Sequence, residues 1–128
     1  MRHRKNKLLE LSTGIVQKTV YVRTLLSNLV KNGKITTTPK RAKVLKAHAD
    51  YFFSTLIRIS GKYEEKDARR ECIRFIKENT YGEDVGKKVI NTLLPKYIES
   101  GNKSSFVADY KIGYRSGDGA PKIMLKLL

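Results

Sequence analysis

Apolar residues recur along this chain in two rhythms. In the first, Ile15, Val16, Thr19, Val22, Leu26, Leu29 and Val30 follow steps of three and four, which predicts an amphipathic helix from about residue 14 to a C-cap at Asn32-Gly33. Ile35, Thr36 and Thr37 are β-branched in a row and predict a short strand over 34–37. Thr38-Pro39 then announces a second helix, with Thr at the N-cap and Pro at the first helical position. Ala42, Leu45, Ala49, Phe52, Leu56 and Ile59 keep its helical step until Ser60-Gly61. A third helix is predicted over about 66–78, with Ala68, Cys72, Phe75 and Ile76 inward. A fourth, over about 84–97, uses Val85, Val89, Leu93 and Tyr97, and Pro95 ends or kinks its last turn. After Ser100-Gly101-Asn102 the rhythm changes to two. Phe106, Ala108, Tyr110 and Ile112 alternate with Val107, Asp109 and Lys111, and Ile123, Leu125 and Leu127 with Lys122, Met124 and Lys126. That period predicts two strands, joined as a hairpin through the glycine-rich stretch 113–121.

The fold class expected from this order is α+β: about four helices packed on a small three-stranded sheet, made of the strand after the first helix plus the C-terminal hairpin. Residues 1–13 read as a basic arm that orders on its partner, because Leu8, Leu9 and Leu11 are too few apolar anchors to fold alone. Residues 14–128 read as one compact domain, a size that 128 residues with 40% hydrophobic content supports.

Charge sharpens the picture. The first 46 residues hold twelve Lys/Arg against one acid, Glu10, whereas residues 47–100 hold ten against nine and residues 101–128 five against two. A one-sided block of this kind repels itself in the free protein and points to a polyanionic partner. Lys40, Arg41, Lys43 and Lys46 occupy the first turns of the second helix, where the backbone dipole and free N–H groups already favour anions. The few Asn and Gln side chains beside the cations, Asn6, Gln17 and Asn28, favour backbone contact over base readout. Arg69, Arg70 and Arg74 in the third helix are partly balanced by Glu71 and Glu78.

Catalytic and cofactor chemistry finds little support. His3 lies in the arm and His48 on a helix, and the sequence places no second titratable group to orient either. Asp109 and Asp118 are isolated, and the cluster Glu64, Glu65 and Asp67 fits dipole complementarity at a helix start. One cysteine, Cys72, and two histidines do not make a tetrahedral metal site and allow no internal disulfide. Gly33-Lys34 lacks the glycine that a phosphate-binding loop requires five residues earlier, where Asn28 stands, and Gly113, Gly117 and Gly119 lie between strands instead of opening a helix. Tyr51, Phe52 and Phe53 are candidates for base stacking but sit on or beside the apolar stripe. The expectation is a protein without enzyme activity, metal or cofactor, in a reducing compartment. No apolar run is long enough for a membrane span, and Met1 leads into charge instead of a signal-peptide core.

Met1-Arg2-His3-Arg4, Ile35-Thr36-Thr37 before Arg41-Ala42-Lys43, Ala68-Arg69-Arg70, Pro95-Lys96-Tyr97 and the loop Gly117-Asp118-Gly119-Ala120 stand in an order that resembles the bacterial ribosomal large-subunit protein seventeen family over nearly the whole chain. The resemblance implies a structural, non-enzymatic protein of the large ribosomal subunit that binds large-subunit ribosomal RNA near the nascent-chain tunnel exit and supports assembly and translation. It implies neighbouring large-subunit proteins as partners, one copy as a monomer within the ribosome, and a cytoplasmic location, with an organellar ribosome as the alternative. Arg2, His3 and Arg4 match the RNA-penetrating arm, Thr36, Thr37, Lys40, Arg41 and Lys43 the main RNA-facing turn, and Arg23 an arginine of the first helix. Lys5, Lys7, Lys18, Lys34, Thr38, Lys46, Arg69, Arg70 and Arg115 complete the expected RNA-binding set. Gln17-Lys18 stands where a His-Arg pair is usual, and residues 61–67 and 79–86 differ in length from the family. A DNA-binding architectural or regulatory protein is the alternative class, and an RNA-processing enzyme using His48 or Asp118 a third.

Overall fold

The computed structural model describes residues 10, 11, 14 and 17–128, with the backbone alone at Lys18. Helix α1 (Lys18–Asn32) leads through β1 (Lys34–Thr37) into the long α2 (Pro39–Lys62), followed by α3 (Glu65–Asn79). Next come α4 (Glu83–Lys88), a π-helical turn (Val89–Leu93) and α5 (Leu94–Ser100), and then strands β2 (Val107–Tyr114) and β3 (Pro121–Leu127). The strands form an antiparallel sheet in the order β1-β3-β2, so the C-terminal strand lies between the other two. The expected α+β architecture is the one observed.

The turn signals read from the sequence act where they stand. Gly33 caps α1 in the left-handed conformation at φ 77°, and its N–H donates to Leu29 O. Thr38 is extended at the N-cap of α2 and Pro39 follows inside the helix. Helix α2 is the spine, touching α1, α3, α5, β2 and β3. Its buried face carries Ala42, Leu45, Ala49, Phe52, Phe53 and Leu56, joined by Leu29 and Val30 of α1, Ile76 of α3, Val89 and Leu125. The stripe predicted for α1 is displaced at its start: Thr19 is exposed, Ile15 and Val16 lie outside the described residues, and burial begins with Leu26.

Aromatic rings close the core under the sheet. Phe53 meets Phe52 and Tyr97 edge-on with centroids 5.1 Å away, and Phe106 packs 5.0 Å from Tyr97 and 5.6 Å from Phe53. Tyr97 is 1% exposed, and its hydroxyl finds no partner among the described residues. Burial pushes its phenol up from 10.0 to about 12. A raised value in the folded state means that stability is intact below pH 10 and declines as pH rises towards 12. Tyr97→Phe removes an unsatisfied buried group and is expected to be neutral or stabilising near pH 7. Its advantage over the parent should grow between pH 10 and 12 in paired urea titrations.

The fourth helix is where local chemistry changed the geometry. Pro95 has no N–H for the carbonyl four residues back, and its ring crowds that carbonyl. The chain widens just before it into the π turn, where Leu94 N–H donates to Val89 O, five residues back. Val85, Val89, Leu93 and Tyr97 recur strictly every four residues, a spacing that drifts about 40° per step around an ordinary α-helix. The wider turn offsets that drift, and all four are buried.

The first C-terminal strand departs from its expected phase. Phe106 is fully buried, but it precedes β2, with its N–H donating to Asp50 Oδ1 at 2.9 Å and Ser105 before it at φ 58°. Val107 then takes the inward position, and Tyr110 lies outside the core at 49% exposure. On β3 the expected alternation holds: Ile123 and Leu125 are buried, while Met124 stands beside Thr36 and Tyr110 on the outer face.

Candidate nucleic-acid interface

The densest set of expected contacts lies where β1 runs into α2. On β1, Ile35 and Thr37 are half-buried against the helices, which turns Lys34 and Thr36 outward. One residue later the helical period takes over. Ala42, Val44 and Leu45 must reach the core, so Pro39, Lys40, Arg41 and Lys43 face solvent. No acidic residue occupies the first turn of α2, and no side chain caps it, the Thr38 hydroxyl included. Free N–H groups and three cations therefore face the same solvent, a combination that attracts phosphate twice over. Among the described residues no carboxylate pairs with Lys40, Arg41 or Lys43. The Arg41 guanidinium rests 5.1 Å from the Tyr21 ring centroid, which orients it while leaving its edge donors open.

Other expected contacts are engaged inside the chain. Arg23 donates from Nη2 to Lys77 O at 3.0 Å and Thr80 O at 3.4 Å, and stacks 4.1 Å from the Tyr81 centroid. It ties α1 to the C-terminal end of α3, where orphan carbonyls and the dipole welcome a cation. Ser27 adds to the same seam by accepting Tyr81 N–H at 2.7 Å. Arg23→Met is expected to cost about 1–3 kcal/mol of stability, measured by urea unfolding, and to leave the slope of RNA affinity against salt unchanged.

Lys46 donates to Asp109 Oδ1 at 3.0 Å, bridging α2 to β2 and holding the Asp109 carboxyl below its ordinary range. Arg115 forks onto Asp118, with Nε to Oδ1 at 3.1 Å and Nη2 to Oδ2 at 2.7 Å. Asp118 Oδ1 also accepts the Ala120 N–H, the largest influence lowering its pKa, so the loop 115–120 is held by its own side chains. Asp109 and Asp118 thus have structural partners. Cys72 is buried with its thiol pKa raised by desolvation.

Arg69 and Arg70 are exposed on α3, and Arg69 lines a separate hollow with Tyr63, Cys72, Leu94 and Ile98. The structure does not bring them to the β1–α2 turn. Of the proposed stacking residues, Phe52 and Phe53 are fully buried, and Tyr51, half-exposed, meets the Phe75 ring edge-on. Arg2, His3, Arg4, Lys5 and Lys7 lie outside the described residues. Leu11, read as part of the arm, is buried in a hollow shared with Leu26, His48 and Tyr51, so the folded body reaches back at least to that residue.

Three cations escaped sequence reasoning. Lys88, Lys96 and Lys126 gather beside Lys34 around one concavity. Lys88 and Lys96 come from a segment where acids nearly balance bases in number and Lys126 from the last strand, and nothing in the local sequence says that they converge on Lys34.

Comparison with known proteins matches residues 21–128 to the family described as Ribosomal protein L17. A large ribosomal subunit protein bL17 of Clostridium tetani is 33% identical over 112 residues, covering 88% of this chain and 89% of that protein. The bL17 protein of Desulforamulus reducens is 32% identical over 118 residues, 92% of this chain and 94% of its own. A Clostridium botulinum bL17 is 35% identical over 112 residues, 88% of this chain and 89% of its own.

Proposed function

Because the chain belongs to the ribosomal protein L17 family, of structural and non-enzymatic constituents of the large ribosomal subunit, we propose that it binds large-subunit ribosomal RNA chiefly through the β1–α2 turn. The observation that carries this reading is the uncapped, acid-free start of α2 with Lys40, Arg41 and Lys43 exposed and unpaired among the described residues. Double-helical RNA hides its base edges in a deep, narrow groove, so a protein of this kind reads shape and phosphates. Cations on a rigid helix start, supported by an aromatic-rich core, suit that task better than flexible side chains on a loop.

The basic residues ahead of Glu10 extend the contact by threading between RNA helices, while the domain expected over 14–128, with Leu11 packed against it, acts as one anchor. The chain sits as a single copy beside neighbouring large-subunit proteins, near the exit of the nascent-chain tunnel, and supports subunit assembly in the bacterial cytoplasm. Family membership supports these finer placements. The test is filter binding of the full chain to a large-subunit ribosomal RNA transcript and to duplex DNA at matched salt. Preference for the RNA, with affinity falling steeply as salt rises, is the expected result. Preference for duplex DNA would overturn the reading in favour of a chromosomal role.

A further inference from the structure

The four lysines Lys34, Lys88, Lys96 and Lys126 line one hollow of about 240 Å³ beside the end of β3, and among the described residues no acidic side chain lines it with them. Lys34 and Lys126 face each other directly in the β1–β3 register. Like charges directly opposite across antiparallel strands are destabilising, and an edge strand needs only one lysine to discourage further pairing. Lys88 Nζ donates to Lys31 O and Lys96 Nζ to Leu128 O, each at 3.1 Å. One of three ammonium donors is thereby used to position each side chain, and two remain for a ligand.

We infer that this hollow is a second contact for the RNA backbone, in which the four ammonium groups hold phosphates that the β1–α2 turn does not reach. The inference rests on the RNA-binding reading above. Compact ammonium charges suit the tetrahedral oxygens of phosphate, whereas planar carboxylate pairing favours the guanidinium fork, which this hollow lacks. A single small anion leaves most of the mutual repulsion in place. Successive phosphodiesters relieve it. Lys34 and the start of α2 lie at opposite ends of a four-residue strand, roughly 13 Å apart, so one RNA segment running along β1 spans both.

The experiment compares the full chain with Lys88→Gln/Lys96→Gln/Lys126→Gln and with the arginine triple variant at the same positions, using a large-subunit ribosomal RNA transcript. Circular dichroism verifies that each is folded. The glutamine variant is expected to lose roughly tenfold or more in affinity at about 0.1 M salt, and its slope of log affinity against log salt to fall by roughly two to three. The arginine variant should restore both, and RNA should shield all three lysines from acetylation in the parent chain. Parent-like affinity and slope in the glutamine variant, with RNA binding by the parent intact, would overturn this contact alone. Failure of the parent to bind RNA would overturn the reading beneath it as well. Unchanged RNA affinity with impaired incorporation into large subunits would assign the hollow to an acidic protein neighbour and refute the RNA contact.

Discussion

Replacing Lys40, Arg41 and Lys43 together by alanine is expected to weaken binding to large-subunit ribosomal RNA by two to three orders of magnitude at about 0.1 M salt. Each neutralised phosphate contributes about 0.9 to the slope of log affinity against log salt, so removing three cations lowers that slope by roughly 2.7. The fold should survive. All three side chains are exposed, and the substitution gives up the stacking of Arg41 on the Tyr21 ring, about 0.5–1 kcal/mol at an exposed site. Arg74→Ala/Lys77→Ala removes two cations from α3, where Arg74 leans on Glu78 at 3.8 Å. That double variant should lose far less affinity. Filter binding over a salt series measures both, and equal losses would show that the charged helix start is not the main contact.

Phe53→Ala should bring the largest loss of stability, about 3–5 kcal/mol. Phe53 is fully buried, and its ring touches those of Phe52, Tyr97 and Phe106. Those rings come from α2, α5 and the entry to β2, so truncation leaves a cavity at the junction that holds the hairpin against the helices. Set against the roughly 5–15 kcal/mol that stabilises a typical domain, this removes a large share. A lowered urea midpoint with an unchanged m-value is the expected signature. A loss below about 1 kcal/mol would mean that the neighbouring rings collapse to fill the space.

The elements that could be read directly are those whose cause is local. Gly33 ends α1 because a left-handed residue is needed there, and Thr38-Pro39 starts α2 because proline fits only the first turn. The β1–α2 turn was legible for the same reason, since its cations are neighbours along the chain. Elsewhere the cause is tertiary. Alternation on β2 located a strand but not its phase, which Ser105 and the Asp50 bond to Phe106 N–H determine from outside it. Pro95 signalled a disturbed helix, yet its π turn depends on how the Val85-to-Tyr97 stripe must face the core.

Charge counting had the same blind spot in both directions. It included Arg23, Lys46 and Arg115, whose partners lie across the fold or in a loop of their own. It passed over Lys88, Lys96 and Lys126, because cations divided between a nearly neutral segment and the last strand become one hollow only once α4, α5 and β3 converge on Lys34. Net charge in a window measures attraction only where the acids of that window share its surface.

Sedimentation of a cell lysate through a sucrose gradient at low and moderate salt, following this protein by immunoblot, tests its place in the ribosome most directly. Co-migration with large subunits and whole ribosomes, retained at moderate salt, is the predicted result. Recovery only at the top of the gradient or with chromosomal DNA would contradict it.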